Sequence, residues 1–159
     1  MAWATDAGGP PIYLLSGLAG AGKSAIARSF ARLLEDHSVL GATFFCSRIS
    51  EARSNVAGII PSIAYHLALR SQPYGQALID AMKKAPGVSF NLRSPAIQFT
   101  SLIMQPMEHL PRPFGTPLIV IIDALDECSS FNAVNDLVGF LVRSGPNSMN
   151  TLKFFISSR

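Results

Sequence analysis

A glycine-rich turn between an apolar run and a helical pattern constrains this chain more than any other feature. The turn is the octapeptide Gly17–Ser24, and the apolar run before it is Ile12–Ser16. After Lys23, apolar side chains such as Ile26 and Phe30 recur at helical spacing. Glycine permits the tight backbone turn that such a junction needs. The segment therefore predicts a strand, a tight turn and a helix in direct succession, which is a building unit of parallel α/β sheets.

The turn also has the G-x-x-x-x-G-K-[ST] spacing of a phosphate-binding loop. Its backbone N–H groups and the N-terminus of the following helix would bind phosphate. Lys23 would reach the β and γ phosphates of a nucleotide, and the Ser24 hydroxyl would bind Mg²⁺. The predicted nucleotide-binding residues are Gly17, Leu18, Ala19, Gly20, Ala21, Gly22, Lys23, Ser24 and Ala25.

Acidic residues follow a second apolar run near the end of the chain. Asp123 comes directly after Leu118–Ile122 and is predicted to hold Mg²⁺ together with Ser24. Asp126 and Glu127 follow closely, and one of them would orient or deprotonate an attacking water. The alternative role of Asp123 is an ordinary strand-end residue that caps the next turn. The alternative for Asp126 and Glu127 is a solvated acidic turn.

Arg159 ends the last predicted strand and would sense the γ-phosphate; its alternative role is a solvated terminal charge. With Asp126 and Glu127 it completes the predicted catalytic set.

Strand and helix patterns alternate along the chain and predict an α/β fold with a mainly parallel sheet. The predicted strands are Ile12–Ser16, Leu40–Cys46, Pro117–Ile122 and Thr151–Ser157. The predicted helices are Lys23–His37, Asn55–Arg70, Tyr74–Lys84, a helix that starts at Ser94, and Asn132–Val142. Pro61 predicts a kink or a late start in the second of these helices. The buried face predicted for the helix from Ser94 consists of Ile97, Leu102, Met104 and Met107.

Composition restricts the class of protein. Of the 159 residues, 48% are hydrophobic and only 14% are charged, which argues against a disordered chain. The net charge of +3 comes from scattered Lys and Arg, so nucleic acid is not an expected partner. No apolar run approaches the ~18 residues of a membrane helix.

The two cysteines, Cys46 and Cys128, lack metal-ligand spacing and are expected to be buried and reduced in a cytoplasmic protein.

Four segments together resemble the NACHT domain of STAND-class P-loop NTPases, especially those of fungal NOD-like receptors. The segments are Ile12–Ser24, Leu40–Arg48, Leu118–Cys128 and Leu152–Arg159. Within them, the Asp-Ala-Leu-Asp-Glu-Cys stretch at residues 123–128 is the match most specific to this family. The resemblance implies a three-layer P-loop NTPase fold with about four strands in the order 2-3-4-1 and helices on both faces.

The resemblance also implies a function. Members are signalling switches in innate immunity that bind ATP or ADP with Mg²⁺, and nucleotide exchange promotes their oligomerisation. The expected partners are an adenine nucleotide and other copies or full-length relatives, with slow or no hydrolysis. The family pattern makes Asp123 the magnesium-side acid, Asp126 and Glu127 the extra acidic pair, and Arg159 the sensor-1 arginine.

The same resemblance predicts the domain organisation. Residues 1–11 would be a linker or the end of an upstream helix, and residues 12–159 a nucleotide-binding core truncated after the sensor-1 strand. The first strand would then be a bare edge of the sheet.

Two other functions fit the same residues. One is a small P-loop phosphotransferase, although an arginine-rich lid is missing: Arg112 is the only Lys or Arg between Arg93 and Arg143. The other is a non-enzymatic interaction module derived from such a core.

Overall fold

The computed structural model describes residues 2–6, 8–84, 94–108, 110, 114, 117–148 and 151–159. Its strands are β1 (Ile12–Ser16), β2 (Leu40–Phe45), β3 (Leu118–Asp123) and β4 (Leu152–Ser158). They form one parallel sheet in the order β1-β4-β3-β2. This is the predicted order 2-3-4-1 followed from its other end, so the α/β class, the parallel pairing and the strand order are confirmed.

Helices flank the sheet. They are α1 (Ala2–Thr5), α2 (Lys23–Asp36), α3 (Glu51–Ser54), α4 (Ile59–Arg70), α5 (Gln72–Lys83), α6 (Pro95–Phe99), α7 (Gln105–Glu108) and α8 (Phe131–Ser148), with 3₁₀ turns at Val56–Gly58 and Leu125–Glu127 and a π turn at Thr100–Met104. No helix in the described ranges is long and apolar enough to cross a membrane.

The two faces of the sheet bury alternate residues of each strand. In β3, Val120 and Ile122 pack in the larger core with α4, α5, α6 and α8. Ile119 and Ile121 pack on the opposite face with α2. Successive strand side chains point to opposite faces, so this continuous buried run needs cover on both sides. Helices therefore lie on both faces, as predicted.

Pro61 sets the start of α4. The segment predicted as one helix from Asn55 begins with the 3₁₀ turn Val56–Gly58, and α4 proper starts at Ile59. Pro61 then lies in the first helical turn, where its missing N–H leaves no broken hydrogen bond. The late start predicted from this proline is confirmed.

The buried face predicted for the helix from Ser94 is wrong in part. Ile97 is 48% exposed, whereas Phe99 and Ile103 are buried. Gln98 is also buried, and its Nε2 donates to the Ala57 carbonyl at 2.9 Å. The sequence pattern did not predict this burial, because Gln98 is polar and its partner Ala57 lies 41 positions away in sequence.

The N-terminal segment packs on the sheet. Lys153 in β4 is only 4% exposed, and its ammonium donates to the Trp3 carbonyl at 2.9 Å and to the Asp6 carbonyl. The proline-rich segment 111–117, which reads as a loop in the sequence, lies mostly outside the described residues. β1 is an edge strand as expected, and Leu14 within it is 59% exposed.

Candidate functional site

The glycine turn after β1 needs glycine for backbone reasons. Gly20 and Gly22 have φ of +78° and +85°, the left-handed region that other residues rarely adopt. A Cβ added at either position would meet no atom within 4 Å. The requirement is therefore conformational, and the space above both glycines is open.

Lys23 folds back over this turn. Its Nζ donates to the Gly17 carbonyl at 2.6 Å and to the Leu18 carbonyl at 2.9 Å. Gly22 is the N-cap of α2 and supplies no side-chain hydrogen bond to the first helical turn. The first N–H groups of a helix need partners from outside the helix, and an anion is a favourable one.

Asp123 lies at the carboxyl end of β3 and is buried, with 2% exposure. Its Oδ1 accepts a hydrogen bond from Ser157 Oγ at 2.5 Å, and Ser157 Oγ accepts one from the Ala124 N–H at 2.9 Å. Alternation along β3 puts Asp123 on the same face as Ile121, which α2 covers. Asp123 is thus fixed on the face of the sheet that α2 covers.

A strained residue turns the chain after Asp123. Ala124 has φ of +54° and ψ of +46°, a left-handed conformation that costs a non-glycine residue about 1–2 kcal/mol. The 3₁₀ turn Leu125–Glu127 follows directly. This bend brings Asp126 and Glu127 back towards the ends of the neighbouring strands.

Asp126 pairs with Arg159 at the end of β4. Asp126 Oδ1 accepts from the Arg159 backbone N–H at 3.1 Å, and Oδ2 accepts from Arg159 Nε at 2.5 Å. Burial alone would raise the pKa of the Asp126 carboxyl, but the hydrogen bonds and charge of Arg159 outweigh it and lower that pKa. The hydrogen bond to Asp126 likewise raises the pKa of Arg159.

Glu127 makes a different contact. Its Oε2 accepts from the Arg48 backbone N–H at 3.2 Å, just beyond the end of β2. Within the described ranges Glu127 is in no salt bridge, whereas Asp126 is. The two acidic residues predicted as a pair therefore have separate partners.

A pocket of about 290 Å³ lies where these segments meet. From the loop and α2 it is lined by Ala19, Gly20, Gly22, Lys23, Ser24 and Ala25. From the other elements it is lined by Ala124, Asp126, Glu127, Ser157 and Arg159. Six of the nine predicted nucleotide-binding residues and all three predicted catalytic residues share this pocket.

Four predicted residues do not line it. Gly17 and Leu18 contact Lys23 through their carbonyls, and Leu18 has an 83% exposed side chain. Ala21 is exposed, and Asp123 is buried beneath the pocket behind Ser157. Sequence reasoning missed the roles of Ala124 and Ser157, although Ser157 was on the predicted last strand.

The side chains in the pocket suit a phosphate group with Mg²⁺. Lys23 and Arg159 are cations, and the uncapped N-terminus of α2 opens beside them. Mg²⁺ is usually held by one or two carboxylates together with phosphate oxygens and water. In the part of the chain that the structure describes, no three or more His, Cys, Asp or Glu side chains are grouped so that they could hold a metal ion by themselves. A magnesium ion here would need phosphate as a co-ligand.

The two cysteines lie beside the pocket. Cys46 follows β2 and is buried, while Cys128 follows the acidic turn and is half-buried. Their Sγ atoms are 3.4 Å apart, and both are free thiols. Cys128 is less buried than expected because it ends a surface turn.

Fold and pocket together define an α/β protein with a four-stranded parallel sheet and a charged pocket at the carboxyl ends of its strands. The chain belongs to the nephrocystin 3 N-terminal family, whose model matches residues 1–159. No curated protein matches the chain.

Proposed function

We propose that this chain binds an adenine nucleotide with Mg²⁺ at the glycine turn and serves as the nucleotide switch of a STAND-type, NACHT-like P-loop NTPase. The observation that carries the proposal is the pocket itself. It brings the glycine turn, Lys23, the acidic turn and Arg159 together from segments more than a hundred residues apart in sequence.

The phosphate chain would lie against the N-terminus of α2. Lys23 would exchange its two carbonyl acceptors for phosphate oxygens, a stronger charge-assisted interaction. The open space above Gly20 and Gly22 lets phosphate oxygens approach the backbone closely. The pocket volume of about 290 Å³ is at the lower limit for ligand pockets, so it suits the phosphates more than a whole nucleotide.

Ser24 and Asp123 would hold Mg²⁺. Ser24 lines the pocket, while Asp123 lies behind Ser157. We infer that Asp123 acts through a water or through displacement of the Ser157 hydroxyl. The bound ion would supply positive charge to the phosphates, and the hydrogen bond from Ser157 would keep the Asp123 carboxylate oriented.

Hydrolysis would depend on Glu127. The Asp126 carboxylate is held by Arg159, which lowers its pKa and makes it a weak base. Glu127 lines the pocket, forms no such ion pair with the described residues, and would orient the attacking water. Asp126 would position Arg159 towards the γ-phosphate.

Thermal melts with Mg-ADP, Mg-ATP, Mg-GTP and each nucleotide plus excess EDTA test this proposal. A ligand at a hundred times its dissociation constant adds about 2.7 kcal/mol of stability and raises the midpoint measurably. We expect a rise with both adenine nucleotides, a smaller one with Mg-GTP, and a loss of the rise with EDTA. A cooperative melt that no nucleotide shifts would contradict the proposal.

A further inference from the structure

The thiols of Cys46 and Cys128 lie within reach of each other although 82 positions separate them in sequence. They are the two cysteines of the chain, and their Sγ atoms are 3.4 Å apart. A disulfide bond is about 2.05 Å long, so the sulfurs need to approach by only about 1.4 Å. Rotation about the two Cα–Cβ bonds and a small backbone shift supply a movement of that size.

The backbone around both cysteines is held by hydrogen bonds that keep the thiols together. The Cys46 N–H donates to the Asp123 carbonyl at 2.9 Å, and the Cys128 N–H donates to the Leu125 carbonyl at 3.2 Å. Beside them, the Arg48 N–H donates to Glu127 Oε2 at 3.2 Å. The Ser129 N–H donates to the Ser54 carbonyl at 2.9 Å. These contacts on both sides fix the two segments side by side.

We propose that Cys46 and Cys128 are a redox modification site that forms a reversible intrachain disulfide under hydrogen peroxide. This proposal does not require that the pocket binds a nucleotide.

The chemistry needs only the two thiols and the peroxide. The Cys128 sulfur attacks one peroxide oxygen, the O–O bond breaks, and the leaving hydroxide is protonated to water. The resulting Cys128 sulfenic acid is attacked by the Cys46 sulfur, its S–O bond breaks, and the hydroxyl leaves as water with the Cys46 proton. Two thiols are oxidised to one disulfide, and one hydrogen peroxide is reduced to two waters.

Exposure decides which sulfur meets the oxidant. Cys46 is 6% exposed, whereas Cys128 is half-buried on a surface turn. The hydrogen bond with Cys46 lowers the pKa of the Cys128 thiol, against the opposing effects of burial and of Asp126 and Glu127. Cys128 therefore reacts first, and the shielded Cys46 resolves the sulfenic acid before a second peroxide oxidises it further.

Intact-mass measurement of the folded full chain after a small excess of hydrogen peroxide tests this. The expected product has lost two hydrogens, and its peptide map joins the Cys46 and Cys128 peptides. Dithiothreitol restores the starting mass. Cys46→Ser is the matched control, and in it Cys128 should gain oxygen atoms or form chain dimers without an internal link. The same treatment in urea should form the intrachain disulfide at least about tenfold more slowly, because the unfolded chain holds the thiols far apart.

Two results would overturn the proposal. One is that both thiols of the folded chain stay free while each is alkylated readily after unfolding. The other is that wild type and Cys46→Ser give the same sulfinic or sulfonic products at Cys128.

Discussion

Asp126 accepts two hydrogen bonds from Arg159, one from its backbone N–H at 3.1 Å and one from its Nε at 2.5 Å. This pair joins the acidic turn after β3 to the end of the neighbouring strand β4. It keeps both side chains on the wall of one pocket. Two residues predicted separately, as a base and as a phosphate sensor, thus form one structural unit.

The pair should stabilise the fold in a pH-dependent way. Because the folded pKa of Asp126 is lowered, its contribution is present above the unfolded value of about 3.9 and is lost as pH falls through the folded value. Asp126→Asn should therefore lower the urea midpoint slightly at pH 7, and the difference from wild type should shrink towards pH 3. The effect is small because Arg159 is half exposed. High salt should reduce it further, and a difference that stays constant with pH would contradict this account.

Ser157 should matter for stability more than its size suggests. Ser157→Ala would leave the buried Asp123 carboxylate and the Ala124 N–H without their shared partner. We expect a loss of about 1–3 kcal/mol in the free energy of unfolding, measured by urea denaturation. Ser158→Ala, one residue further along β4, is the matched control and should change stability by less than about 0.5 kcal/mol. Equal losses in the two variants would show that the hydrogen bonds of Ser157 contribute little.

The glycines of the turn should differ in their tolerance of alanine. Gly20→Ala should lose on the order of 1 kcal/mol of stability, because alanine is strained at φ of +78° even though space is open. Gly17 lies outside the left-handed region, and its added Cβ would come no closer than 3.9 Å to Lys23 Cδ. Gly17→Ala should therefore be neutral or slightly stabilising in the same denaturation experiment. A loss at Gly17 as large as that at Gly20 would contradict the conformational explanation.

Strand positions, parallel pairing and the position of the glycine turn were predictable from sequence. Continuous apolar runs such as Leu118–Ile122 indicate strands covered on both faces, and the glycine spacing places a turn between β1 and α2. These features are local in sequence, so the pattern contains the information. The strand order came from the family resemblance.

Contacts that depend on long-range geometry were not predictable in the same way. The burial of Gln98 depends on a carbonyl 41 positions away, and Asp123 depends on Ser157, 34 positions away. One feature of the sequence points to the contact between Cys46 and Cys128. The two cysteines follow β2 and β3, which are adjacent parallel strands. Carboxyl ends of adjacent parallel strands lie together, but the length of the turn after β3 could not be inferred.

The two acidic residues should differ in their effects on the proposed hydrolysis. Glu127→Gln should leave Mg-ATP affinity nearly unchanged and reduce phosphate release by about 10²-fold or more, because it removes the general base. Asp126→Asn should act through the position of Arg159, and so it should weaken Mg-ATP more than Mg-ADP. Phosphate release and calorimetric affinity, measured on both variants, check this. Equal phosphate release by wild type and Glu127→Gln would exclude Glu127 as the base.

The most direct test of the central proposal is calorimetric titration of Mg-ADP into wild type, Lys23→Ala and Lys83→Ala. Lys83 is an exposed lysine at the end of α5 and serves as the matched control. We predict that wild type and Lys83→Ala bind Mg-ADP with equal affinity. The affinity of Lys23→Ala should be lower by at least about tenfold, because the substitution removes a charge-assisted hydrogen bond to phosphate. Equal affinity of wild type and a folded Lys23→Ala, or no binding by any of the three, would contradict the proposal that the glycine turn is a nucleotide site.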